Sequence, residues 1–77
     1  MNASLADVLV HIDQNLSAEQ RAQVEASLRQ IEGVVSVANH DERPHLTLIA
    51  YRPDLTTSAA LLACVKAAGV SAELVGL

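Results

Sequence analysis

Apolar and polar residues alternate along "DVLVHID" (7–13), with Val8, Val10 and Ile12 on one side and Leu9, His11 and Asp13 on the other. That period of two marks a strand with one buried face. From Ser17 the period lengthens. Val24, Leu28 and Ile31 fall at i, i+4 and i+7, which predicts a helix over 17–33 with one apolar stripe. Ser17 is placed to cap it, Gln20 three residues on completes a capping-box pattern, and Gly33 closes it as the residue after the C-cap. Glu25 and Arg29 can pair one turn apart on its wet side. "VVSVANH" (34–40) and "HLTLIAY" (45–51) then read as two strands joined by the polar turn "DERP", a hairpin. The facing of the third strand reads two ways, Leu46 and Leu48 inward or Ile49 and Tyr51 inward, which leaves room for a bulge. "RPD" breaks the chain. Thr56 or Thr57 caps a second helix, "SAALLACVKAA", in which Leu61, Cys64, Val65 and Ala68 share a face. Gly69 ends it, and "SAELV" forms a last short strand.

The order β-α-β-β-α-β predicts an α+β fold, the ferredoxin-like sandwich: one four-stranded antiparallel sheet backed by two helices. Without a linker or low-complexity tract, residues 1–77 are expected to form a single domain. Composition sharpens this picture. Half the residues are hydrophobic, yet there is no Phe or Trp and only Tyr51 is aromatic, so the core must be assembled from small aliphatic contacts. The net charge is −4, and the five basic residues (Arg21, Arg29, Arg43, Arg52, Lys66) are scattered, which argues against a nucleic-acid partner. A single cysteine, Cys64, excludes an internal disulfide and fits a reducing compartment. No basic leader opens "MNASLADVLVHID", and no stretch reaches the ~18–20 apolar residues of a membrane span. A soluble cytoplasmic protein is the expectation.

Three stretches together resemble a known family. "LRQIEGVVSV" (28–37), "YRPD" (51–54) and "VKAAGVSAELV" (65–75) are similar in order and spacing to the heavy-metal-associated (HMA) domain of small copper chaperones and metal-pumping ATPases, over roughly residues 7 to 76. The resemblance implies the same fold. In that family a Gly-Met-x-Cys-x-x-Cys loop at the first strand–helix junction binds the metal. Counted back from Gly33, its two cysteine positions fall here on Ser17 and Gln20 and its methionine position on Asn15; Val70 stands where an aromatic is common. A hydroxyl and a carboxamide are poor ligands for soft Cu(I). The resemblance therefore carries the fold over, but not copper transfer by thiolates.

Two other features bear on function. The topology should bring His11, His40 and His45 to one edge of the sheet, with Asp13, Asp41 and Glu42 nearby. Imidazoles with a carboxylate suit Zn(II), Cu(II), Ni(II) or Co(II); the competing reading is solvated turn histidines and no cofactor. Cys64, on an apolar stripe with only Lys66 close in sequence, reads as a small buried hydrophobe rather than a reactive thiol. On the sheet face away from the helices, Leu9 is expected to be joined by Leu46 and Leu48 or Ile49, and by Val34 or Val35. Leu9, Val35, Leu46 and Leu48 are thus candidates for a homodimer or partner-protein contact.

Three functions compete on these features. The first is a non-enzymatic binding module acting through protein contact, and the second a metal chaperone or sensor using the histidines. The third, acylphosphatase-like hydrolysis, lacks the glycine-rich cradle and loop arginine it needs, since Arg21 falls inside the helix. An RNA-binding reading lacks sheet-face aromatics.

Overall fold

The alternation in the first apolar run builds β1, Ala6–Ile12, whose Val8, Val10 and Ile12 are all buried. The computed structural model describes residues 4–75. Residues 1–3, and position 76 at the end of the family resemblance, lie outside that range. The elements follow as α1 (Ala18–Arg29), β2 (Val34–His40), β3 (Arg43–Tyr51), α2 (Ser58–Lys66) and β4 (Ala72–Val75). The sheet order is β2-β3-β1-β4, with every neighbouring pair antiparallel. This is the ferredoxin-like sandwich anticipated from the pattern. Leu28, Leu61, Val65 and Val24 from the helices close over Val10, Ile12, Ile49 and Val37 from the sheet. Each fully buried Val, Leu or Ile contributes ~1.5–3 kcal/mol, and Tyr51, the chain's one aromatic, packs in the same core.

Register settles the facing of β3. Val8 stands opposite Ile49 and Val10 opposite Thr47. Thr47, Ile49 and Tyr51 are buried, and the alternate positions Leu46 and Leu48 turn to the other face. The hairpin is tighter than the "DERP" reading. His40 pairs with Arg43, so only Asp41 and Glu42 form the turn and β3 begins two residues before His45. The ladder then slips, because Asn39 lies opposite Thr47 while His40 lies opposite Arg43. Residues 44–46 bow outward there, which accommodates Pro44 and its missing N–H.

The helix ends also differ from the pattern. Helix α1 stops at Arg29 with Gln30 as C-cap, short of Gly33. Bonds from the Gln30 N–H to the Ser27 carbonyl (3.2 Å) and the Ile31 N–H to the Leu28 carbonyl (3.1 Å) tighten the last turn, and Ile31 still packs on the core. Thr57, not Thr56, caps α2, accepting from the Ala60 N–H at 3.1 Å. Leu61 and Val65 are buried and Cys64 is half-buried. Ala68 is exposed, because the helix has already ended before it. No helix among the described residues is long and apolar enough to cross a membrane.

Candidate functional site

At the junction of β1 and α1 the side chains are committed to local structure. The Ser17 hydroxyl accepts from the Gln20 N–H at 3.1 Å, and the Gln20 carboxamide oxygen accepts from the Ser17 N–H at 2.9 Å. This reciprocal capping box satisfies two donors that the helix start would otherwise leave free. Gln14 is held as well, its side-chain oxygen accepting from the Ser71 N–H at 2.9 Å. Beside the junction lies a cleft of about 400 Å³, rimmed by Gln14, Asn15, Gln20 and Gln23, with Val70 in its wall. Its polar groups are neutral carboxamides. The chain's one thiol, Cys64, belongs to α2 and is not among the cleft's residues.

Chemistry-bearing groups collect instead where β1 ends. His11 and Asp13 are two residues apart on an extended chain and so share a face. Glu73 is the cross-strand partner of His11 on β4. The His11 Nδ1 lies 3.1 Å from the Asp13 carboxylate. One ligating atom from each of His11, Asp13 and Glu73 falls within 4.8 Å of the other two. Asp13 is fixed by its own backbone, whose N–H donates to the Ser71 carbonyl at 2.9 Å. His45 stacks on His11, the ring centroids 5.7 Å apart and the planes 16° from parallel. Its Nδ1 lies 2.6 Å from the Ile12 carbonyl oxygen. A carbonyl can only accept, so Nδ1 carries the hydrogen and the ring's orientation is set.

Of the three histidines singled out in the sequence, His11 and His45 thus meet. His40 lies apart from them, beside Arg43, Leu9, Ala38, Leu46 and Leu48 around a shallow groove of about 160 Å³ on the open face. Leu48 is 41% exposed, and Val75, opposite Leu9 on β4, extends the apolar strip. Val35 is 55% exposed at the slip in register between Val34 and Ser36, on the edge strand.

Glu73 escaped the sequence reading because its place depends on the β1–β4 register. The signal was there: an antiparallel strand running back beside "HID" must set one of its residues opposite His11. Arg21 and Asn39 were missed too. Asn39 faces the helices opposite the buried Thr47, and its Nδ2 donates to the carbonyls of Leu46 (2.8 Å) and Pro44 (3.2 Å). Its oxygen accepts from the Arg21 guanidinium at 2.8 Å, which also reaches Asp41 at 3.0 Å. A polar residue in a buried-face position of a strand was the available sign.

No protein-family model matches the chain, and no curated protein matches its sequence. Solved structures do match its fold. The N-terminal domain of a potential copper-translocating P-type ATPase from Bacillus subtilis, in its Cu(I)-loaded state, superposes with a TM-score of 0.83 at 20% identity, over 92% of this chain and 88% of that one. A copper-binding domain from HMA7, a P-type ATPase, gives 0.82 at 20% identity over 91% and 93%. Oxidised MerP from Ralstonia metallidurans gives 0.81 at 15% identity over 92% and 97%. The fold is that of the HMA domain.

Proposed function

We propose that this protein is a non-enzymatic, HMA-like binding module of a reducing, cytoplasmic compartment that lacks the family's thiolate site and acts by pairing its open sheet face with a second copy of itself. Two of these solved domains are described as copper-binding or Cu(I)-loaded, but here the corresponding junction holds a closed capping box and neutral carboxamides. The observation that carries the reading is the open face. Leu9, Leu46, Leu48 and Val75 form an apolar strip across the two central strands and β4, with Arg43 at one flank and Asp13 and Glu73 at the other. At the end where β1 and β2 finish, the β2–β3 corner presents Arg43 beside His40 and the Asp41–Glu42 turn, in which Asp41 is paired with Arg21, while the β1–β4 corner presents Asp13 and Glu73. A two-fold axis lying between two such faces, along the strands, sets Arg43 of each copy over the acidic corner of the other. The strip is then buried in a sheet-on-sheet contact. That self-complementarity favours a second copy over an unrelated partner.

Sedimentation velocity over a concentration series tests this. The protein is expected to dimerise, and Leu48→Lys, which sets a charge in the middle of the strip without touching the buried core, is expected to leave a folded monomer. A wild-type monomer throughout the series, or a Leu48→Lys dimer, sinks the reading. Cu(I) titration against a competing chelator checks the other half: no copper should be retained, and retention at one per chain would mean that the thiolate site has an unforeseen substitute.

A further inference from the structure

We infer that His11, Asp13 and Glu73 form a binding site for a borderline divalent cation, zinc foremost, at the β1–β4 corner of the sheet. The backbone sets the three side chains together without any loop having to close. His11 and Asp13 share a face by the strand's period of two, and Glu73 is held opposite His11 by the antiparallel ladder. The Ser71 carbonyl anchors Asp13 just past the end of the strand. Sites on strands held in register are more exact than sites on loops.

The spacing fits a metal. Zinc bonds to imidazole nitrogen and carboxylate oxygen run ~2.0–2.2 Å, so two adjacent ligands of one ion stand roughly 3–3.5 Å apart. The His11 Nδ1 and the Asp13 oxygen are already 3.1 Å apart, a hydrogen bond in the metal-free protein. Binding requires the ring to carry its one hydrogen on Nε2 and free the Nδ1 lone pair for the metal. One oxygen of the Glu73 carboxylate lies within 4.8 Å of a ligating atom of each of the other two. Electrostatics agree: a neutral imidazole and two carboxylates balance a divalent charge. Two oxygens and one nitrogen do not suit soft Cu(I), and the imidazole disfavours calcium, which takes oxygen ligands. The stacked His45 ring, oriented by the Ile12 carbonyl, walls the imidazole on one side. Three protein ligands leave at least one coordination position for water or an incoming donor.

This inference does not rest on dimerisation, because all three ligands come from one chain. The test is isothermal titration of the full chain with zinc chloride, at a dilution where sedimentation shows monomer, followed by histidine ring NMR. Wild-type protein is expected to take one zinc per chain with the His11 ring resonances shifting. Asp13→Asn and Glu73→Gln keep shape at exposed positions and are expected to weaken binding by at least about tenfold. Cys64→Ser should bind as the wild type does. Absence of stoichiometric zinc binding in the wild type would overturn the site. So would full affinity in Glu73→Gln, or a loss of binding confined to His40→Ala. A copper-retaining protein with no zinc site would refute this inference and the absence of a thiolate-type site separately.

Discussion

Gly33 and Gly69 both adopt left-handed backbone, with φ of 101° and 86°, yet they are not equivalent. A Cβ on Gly69 would meet nothing within 4 Å, whereas one on Gly33 would lie 2.8 Å from the Leu55 Cβ and 3.3 Å from the Thr56 methyl. The close approach exists because the turn after β3 docks there, the Arg52 N–H donating to the Gly33 carbonyl at 2.8 Å. Leu55 is fixed in its turn by the bond from its N–H to the Arg52 carbonyl at 3.0 Å, so the contact has little room to relax. Gly69→Ala should therefore cost only the left-handed penalty of ~1–2 kcal/mol. Gly33→Ala adds an overpacking term of roughly 1–3 kcal/mol. Urea denaturation of the two variants separates these contributions, and equal losses would mean that the Leu55 contact yields freely. Sequence reading found both glycines but gave Gly33 the wrong task. It stands beyond the helix, in a turn that supports the "YRPD" segment, as only the docking of residues distant in the chain could reveal.

Among the elements, the β2–β3 hairpin shows most clearly how a sequence irregularity is absorbed. Pro44 cannot donate to a ladder, and β3 is a central strand, so the register slips where it enters. The Asn39 side chain bridges the gap by donating to the carbonyls of Pro44 and Leu46, and Arg21 from α1 ties the arrangement to the helix layer. The Arg21 Nε is nevertheless left buried without a partner, so the network depends on the remaining guanidinium bonds. Asn39→Ala should leave two carbonyls and the guanidinium under-satisfied and destabilise by about 2–4 kcal/mol, less than three times the ~1–3 of a fully buried group because all three contacts are only part-buried. The loss should be smaller in an Arg21→Met background, because the two residues share one network. Additive losses in thermal denaturation would show that Asn39 and Arg21 act independently. Element order, helix faces and the N-caps were legible from periodicity because local spacing determines them. The hairpin network and the Glu73 corner were not, since both depend on register, and a one-residue slip changes which side chains meet.

At the scale of the whole molecule, the acidic corner has two claimants. In the proposed dimer Asp13 and Glu73 face the partner's Arg43, while as a cation site the same carboxylates are turned toward zinc. Both cannot be fully satisfied at once. Zinc neutralises the corner and removes its attraction for the partner's Arg43, so zinc-loaded protein should dimerise more weakly than zinc-free protein. Exposed ion pairs are worth ~0.2–1 kcal/mol each, which sets the expected rise in the dimer dissociation constant at roughly severalfold. The apolar strip is untouched and should hold some association even when the metal is bound. Sedimentation with and without zinc, repeated on Glu73→Gln, reads this coupling directly. The variant should show a weakened dimer already, with little further response to metal. Zinc that tightens the dimer would mean that the open coordination position is filled by a donor from the second copy, and the two functions would then be cooperative rather than competing. Added salt provides an independent check, because screening should loosen the metal-free dimer more than the zinc-loaded one.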